Sequence, residues 1–315
     1  MTNKKIKILA VTGIRSDYDL MHPVYKALLL KKNIELSFFV TGAHLSKKHG
    51  FTVDQIIRDK FKISKKSKSL IISSTLGSRV LGMTKQLKDL VKTINSIKPN
   101  IILVLGDREE AMSATIAGSY MNVPIAHVAG GDRVIGNIDD QIRHAVTKLS
   151  HIHFTTSNES KERILKMGEQ SFRVFNVGNP GIDRLIEVKK ISSSKLSKAI
   201  NFDIDYNEKY LMLIQHPLSS EYLKSYDQMI TTLKTIEELK IKTIIIYPNS
   251  DVGSQEIIKA IKEFDHLDFI FSIENLERDI FVNLLRNCNC LIGNSSAGII
   301  EAPFLKLPVV NIGNR

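Results

Sequence analysis

The sequence predicts an α/β protein built from two doubly wound parallel sheets, and three observations predict it. Short, apolar, β-branched runs recur along the 315 residues, and they are apolar enough to be buried on both faces, as strands of a parallel sheet are. Longer segments with helical character separate them, the order that βαβ units require. The array pauses once, at residues 188–208, where VKKISSSKLSKAINFDIDYNE is polar and serine-rich. That pause reads as a linker between residues 1–187 and 188–315, although a surface helix and loop would look similar.

The first strand is KIKILAV (5–11). Its basic start is like that of a signal peptide, but the apolar run is too short and reads as a buried strand. IELSFFV (34–40) and SLIIS (69–73) follow. MTKQLKDLVKTINSIK (83–98) has apolar residues at helical spacing and stops before Pro99, as a helix does. NIILVLG (100–106), VPIAHVA (123–129) and HIHFTT (151–156) complete the first set of strands. The second set is YLMLIQ (210–215), KTIIIYP (242–248), LDFIFS (267–272), CNCLIG (288–293) and LPVVNIG (307–313).

Composition narrows the function classes. The chain is 43% hydrophobic and 24% charged, which excludes a disordered chain. No run approaches the ~20 apolar residues that span a bilayer, so no membrane partner is expected and cytoplasmic residence is. Cys288 and Cys290 lie two apart, with poor bridging geometry and no further metal ligands in a paired motif. They read as small buried hydrophobes. The net charge of +11 comes from scattered lysines, apart from KFKISKKSKSL at 60–70, with no interleaved aromatics. That pattern argues against nucleic acid. It fits a solvated surface, with a smaller share for an anionic small molecule such as a nucleotide.

Ligands of open parallel sheets bind beyond the carboxyl ends of the strands. Those positions here hold Arg15 and Asp17 in TGIRSDYDL, Asp107 and Arg108 in GDRE, and Gly130, Gly131 and Asp132. They also hold His216-Pro217, GNSSAG (293–298) and GNR (313–315). Small residues at a strand-to-helix turn let backbone N–H groups face a phosphate. Glu301, two turns into the following helix, is placed to reach ribose hydroxyls, and Arg315 to supply a counter-charge. There is neither GxGxxG nor GxxxxGK[ST], so no dinucleotide cofactor and no P-loop is indicated. His127, His151 and His153 fall inside strands and read as packed or locally hydrogen-bonded. His144 follows Asp140 by four residues, the spacing of a helix-surface contact. His216 stands at a strand end, where ligand is expected.

Together these stretches resemble the UDP-N-acetylglucosamine 2-epimerases, above all the hydrolysing branch that begins sialic-acid-type sugar synthesis. The resemblance rests on TGIRSDYDLMHPV, TGAHLS, LGDREEAMSAT, HVAGGDRVIGNIDDQIRHAVTKLSHIHF, VFNVGNPGIDRL, QHP, GNSSAGIIEAP and PVVNIGNR, in order along nearly the whole chain. It implies the GT-B-like architecture of two Rossmann-like domains with the active site in the cleft between them. It implies no cofactor, neither nicotinamide nor an essential metal, and a homodimer. UDP would be eliminated from the sugar nucleotide to leave a glycal-type intermediate. Addition of water would then release N-acetylmannosamine, or its analogue. Residue by residue, the catalytic carboxylates map onto Asp107, Asp132 and Asp139. Arg143 and His144 would hold charge and geometry beside them, and His216 matches a histidine of the second domain. Ser295, Ser296 and Arg315 match diphosphate positions, Glu301 a ribose position, and Arg15 the basic residue of the first loop.

Two departures stand out. Ala129 occupies a position where many relatives, notably the non-hydrolysing branch, carry Glu, and Asp132 gives the GGD form of the hydrolysing branch. The chain also stops at Arg315, where relatives continue with further nucleotide contacts and a C-terminal helix. The second domain therefore reads as incomplete, and weak UDP affinity and an exposed apolar face are expected of it. A non-hydrolysing epimerase and a GT-B glycosyltransferase remain the alternatives, and a sugar-nucleotide binder without turnover is a third.

Overall fold

A computed structural model describes residues 5–71, 77–134, 138–218, 220–249 and 251–313. The described chain forms two compact units, Met1–Gly181 and Ile182–Arg315. In the first, the order is β1 (Ile6–Thr12), α1 (Arg15–Leu29), β2 (Ile34–Val40), α2 (Val53–Arg58), β3 (Ile63–Lys66) and α3 (Gly77–Ile97). Then come β4 (Ile101–Leu105), α4 (Glu109–Tyr120), β5 (Ile125–Val128), α5 (Ile138–Leu149), β6 (Ile152–Thr155), α6 (Asn158–Lys166) and β7 (Val174–Asn176). Helix α7 (Pro180–Glu187) starts at the boundary. The second unit holds α8 (Ser193–Ile200), β8 (Tyr210–Ile214), α9 (Ser225–Leu239), β9 (Lys242–Ile246), α10 (Ser254–Lys262) and β10 (Ile270–Ile273). It ends with α11 (Arg278–Asn287), β11 (Cys290–Gly293), α12 (Ala297–Phe304) and β12 (Val309–Asn311).

Both sheets are parallel throughout. The first runs β3-β2-β1-β4-β5-β6-β7 and the second β10-β9-β8-β11-β12. Alternation along β1 shows why the strands are so apolar. Ile8 and Ala10 pack with Tyr18, Met21 and Ile56 on one face, and Leu9 and Val11 pack with Leu90, Ile94 and Ala114 on the other. Burial of each such large side chain is worth about 1.5–3 kcal/mol. The second sheet repeats the scheme. Met212 and Ile214 face α8, α11 and α12, while Leu213 and Ile245 face α9 and α10.

The structure corrects the sequence reading at its polar segments. Residues 188–208 take the helix-and-loop form that stood as the alternative to a linker. Helix α8 lies there, and its Leu196 and Ile200 join the core cluster of Tyr210 and Met212. Strand β3 is the half-polar ISKK at an edge, not SLIIS; Ser69–Ile71 are not strand, and residues 72–73 lie outside the described residues. An edge strand needs only one buried face, so β3 has no apolar run to betray it. The same holds for β7, whose Phe175 is exposed. Cys288 ends α11 and is buried, Cys290 opens β11, and neither is bridged. Ile299, Phe304, Val309 and Val310 are exposed on α12 and β12.

Candidate active site

Each sheet reverses its strand order at one point, between β1 and β4 in the first and between β8 and β11 in the second. A crevice opens beyond the strand ends at such a point. In the first unit Asp107 and Asp132 lie in the loops after β4 and β5, and Arg15 opens α1 just beyond the turn that follows β1. In the second, the loops after β8 and β11 carry His216, Ser295 and Ser296.

Arg143 of α5 organises the first set. It forms a short ion pair with Asp107 Oδ2, and its Nη1 lies 3.4 Å from Asp132 Oδ2 and donates to the Ala129 carbonyl at 3.0 Å. Asp132 Oδ1 accepts from Thr156 Oγ1 at 2.7 Å and from Ser160 Oγ at 2.5 Å. The planar fork of a guanidinium can grip two carboxylates at once, which a lysine cannot. Two carboxylates from different strands are thus brought onto one cation.

The turn that presents Asp132 is built from residues that tolerate crowding. Ala129 sits at φ +60, a left-handed conformation that costs a non-glycine residue about 1–2 kcal/mol. It is held there by its N–H on the Phe154 carbonyl and by Arg143. Gly131 has φ +79, and a Cβ on it would lie 2.4 Å from the Ser160 carbonyl oxygen. Its own carbonyl accepts a short bond from Arg163.

Asp139 opens α5 one turn before Arg143, so the two lie on the same face of the helix. Its neighbour Asp140 has a structural task. It accepts from the Val134 N–H at 2.9 Å and from Arg133 Nε at 3.2 Å, and His144 Nε2 lies 3.9 Å away. Burial alone would raise its pKa, but the Val134 N–H and Arg133 bring it below the usual range. Residues 135–137 of this motif lie outside the described residues.

The strand histidines are structural. His127 bonds the Gly106 carbonyl through Nε2 at 2.8 Å and approaches Thr147 Oγ1 through Nδ1, and burial pushes its pKa down to about 3. His153, on the paired strand, is fully buried with Nε2 3.4 Å from Glu169. His151 Nδ1 accepts from the Ile125 N–H.

In the second unit, Asn294 ties the two strand-end loops together. It accepts from the His216 N–H at 2.7 Å and donates to the His216 carbonyl at 2.9 Å. Gly293 makes this approach possible, because a Cβ there would lie 2.0 Å from the Ile214 carbonyl oxygen. His216 Nδ1 accepts from the Asn249 N–H at 3.2 Å, so a neutral ring carries its proton on Nε2. Ser295 Oγ accepts from the Ala297 N–H, and Ser296 is exposed at the start of α12. Glu301 is buried on α12 and forms a short ion pair with Arg278 of α11. Arg315 lies outside the described residues.

Three groups escaped sequence reasoning. Asn294 and Arg278 act through contacts between distant segments, which spacing does not reveal. Glu110 was passed over because it follows the more conspicuous GDR. It is buried beside Arg108, whose Nε lies 3.3 Å from its Oε2. Arg15, meanwhile, lies 3.8 Å from Asp19.

Residues 26–315 match the family model of UDP-N-acetylglucosamine 2-epimerase. Over 310 residues the chain is 37% identical to a UDP-N,N'-diacetylbacillosamine 2-epimerase (hydrolyzing) of Legionella pneumophila, covering 98% of this chain and 81% of that protein. It is 32% identical over 316 residues to a GDP/UDP-N,N'-diacetylbacillosamine 2-epimerase (hydrolyzing) of Campylobacter jejuni, covering 99% and 81%. A crystal structure of UDP-GlcNAc 2-epimerase from Neisseria meningitidis bound to UDP-GlcNAc matches with a TM-score of 0.83 at 22% identity, over 98% of this chain and 83% of that one. That likeness is one of fold, the GT-B-like architecture of two parallel-sheet α/β units.

Proposed function

This chain belongs to the UDP-N-acetylglucosamine 2-epimerase family, and from that premise we propose that it is a hydrolysing 2-epimerase of UDP-acetamido sugars. The observation that carries this reading is the pair of strand-end carboxylates, Asp107 and Asp132, gripped by Arg143. The hydrolysing relatives named above support the branch.

The reaction needs three proton transfers and one departure. A carboxylate takes the C2 proton of the sugar, the electrons of that C–H bond form the C1–C2 double bond, and the C1–O bond breaks as UDP leaves. Water then adds its oxygen to C1 and gives one of its protons to a carboxylate, and a third proton transfer, from a carboxylic acid, places a proton on the opposite face of C2. Positioned carboxylates serve as base and acid in such steps. Asp107, Asp132 and Asp139 fill these roles, with Arg143 fixing the first two and His144 and His216 assisting. Ser295, Ser296 and Arg315 hold the diphosphate, Glu301 the ribose, and Arg15 adds a positive charge at the first loop.

UDP-N-acetylglucosamine and UDP-N,N'-diacetylbacillosamine are the candidate substrates. The first would give N-acetylmannosamine and feed sialic-acid-type synthesis in the cytoplasm. A homodimer is the working form we propose. The deciding experiment is proton NMR in D₂O with each nucleotide sugar in turn. Free 2-epimeric sugar carrying deuterium at C2, appearing with UDP, is the expected result. Accumulation of the epimeric UDP-sugar would instead assign a non-hydrolysing epimerase, and UDP release only with an added acceptor, the sugar passing to that acceptor, would assign a glycosyltransferase.

A further inference from the structure

The carboxyl group of Glu110 occupies a notch between two glycine turns. A Cβ on Gly13, at the end of β1, would lie 2.1 Å from Glu110 Oε1, and one on Gly42, just after β2, would lie 2.4 Å from the same oxygen. A side chain at Gly13 would have to displace Glu110, and one at Gly42 would also meet the Gly13 carbonyl oxygen at 2.7 Å, at a backbone φ of +58. Glu110 is 4% exposed, yet it stands at the ligand end of the sheet, beside the turn that precedes Arg15. Its polar contact is Arg108 Nε at 3.3 Å, and Arg108 directly follows Asp107. Burying a carboxyl group in a notch that excludes other side chains is costly. Packing alone gives no reason for it, because an apolar residue would fill the space more cheaply.

We propose that Glu110 is a positioning residue for the reaction. Lodged between Gly13 and Gly42 and bonded to Arg108, it fixes both the first-loop backbone and the side chain of Arg108, the residue that follows Asp107. This rests on the function proposed above, in which Asp107 handles a proton.

The charged and titratable groups around this carboxyl are Asp17 from α1, Arg79 from α3, Arg108 just before α4 and Glu109 at its start, with Asp107 in the same cluster and the neutral His44 of the loop after β2, whose backbone N–H donates to the Gly13 carbonyl. Burial first, and then Glu109, push the Glu110 carboxyl well above the usual carboxylate range, against the pull of Arg108. Arg108 and Arg79 hold Glu109 low, although burial opposes them. Asp17 rises to about 7, chiefly through burial. Below its folded pKa Glu110 is neutral. As pH rises through that pKa it adds an anion to a cluster already holding Glu109 and Asp107, and Arg108 is drawn toward it.

The test compares Glu110→Ala, Glu110→Gln and Gly13→Ala with wild type. Glu110→Ala and Gly13→Ala should lower kcat about 10- to 100-fold, the scale of a sub-ångström to 1 Å misplacement, with KM little changed. Glu110→Gln keeps the shape and the Arg108 contact, so it should restore most of that kcat. It cannot ionise, so the alkaline limb of the kcat/KM profile that wild type owes to Glu110 should vanish. Wild-type kcat in Glu110→Ala, or superimposable profiles for Glu110→Gln and wild type, would overturn the proposal. Hydrogen exchange gives a readout that needs no turnover. Residues 12–16 and 41–45 should exchange faster in Glu110→Ala, and unchanged exchange there would also overturn it. Absence of turnover in wild type counts against the proposed function, whereas the exchange result still decides Glu110.

Discussion

The two strand-order reversals have the same topology and opposite chemistry. Between β1 and β4 the loops are charged, with Asp107 and Asp132 on Arg143 and Glu109 and Glu110 around Arg108. Between β8 and β11 the described loops carry imidazole, amide and hydroxyl groups instead, with Asn294 bonded to the His216 backbone and Ser295 Oγ accepting from the Ala297 N–H. A charged loop set can move protons, and one of amides, hydroxyls and backbone N–H groups can hold an anion. One fold plan repeated in a chain therefore says where ligand binds, and the loop residues say which part of the work is done there.

The comparison breaks most visibly if the carboxylates are removed. Asp107→Asn or Asp132→Asn should lower kcat by about 10²–10⁴, the range of acid–base catalysis, while UDP binding by calorimetry survives. Unchanged turnover in both would end the division of labour. Arg143→Lys should cost about 10²-fold in kcat, because an ammonium cannot span both carboxylates with fixed geometry; activity near wild type would mean that point charge suffices.

Acid should act on the first unit through two buried histidines. Burial holds His44 and His127 neutral, with pKa values near 3 against an ordinary 6.5, and both lie in the first unit. Below 6.5 the unfolded chain binds protons that the folded one refuses. Stability is therefore full above that value and is lost as pH falls toward 3, at up to about 1.4 kcal/mol per pH unit for each histidine. Asp17 and Glu110 of the same unit, whose pKa values are raised to about 7 chiefly by burial, take up protons on folding over the same range and offset this loss. His127→Gln should therefore lose less stability than wild type between pH 7 and pH 5 in denaturant titrations, and identical losses would contradict this. The smallest effect belongs to Asn294→Ala. Loss of two neutral hydrogen bonds, about 1 kcal/mol each, should weaken UDP binding about 5- to 30-fold with kcat near wild type, and a fall confined to kcat would move Asn294 into the chemistry.

Much of this was legible in the sequence. Runs such as ILAV and IILVL mark strands buried on both faces, and the residues after them mark the ligand ends. The edge strands β3 and β7 were not legible, because a strand buried on one face needs few apolar residues. Helix α8 was hidden by a serine-rich composition, although Leu196 and Ile200 lie four apart on its buried side.

The sequence by itself determined the parallel α/β plan, the family, and the strand-end positions of Asp107, Asp132 and His216, because each follows from local pattern or from motif order. Only the tertiary structure decided that Arg143 grips two carboxylates, that Asn294 clamps the His216 loop, and that Glu110 lies between Gly13 and Gly42. These contacts join residues 11 to 97 positions apart, or as near as Asp132 and Arg143, through the order in which strands pair. Pairing order is a property of the whole sheet, which no single stretch of chain encodes.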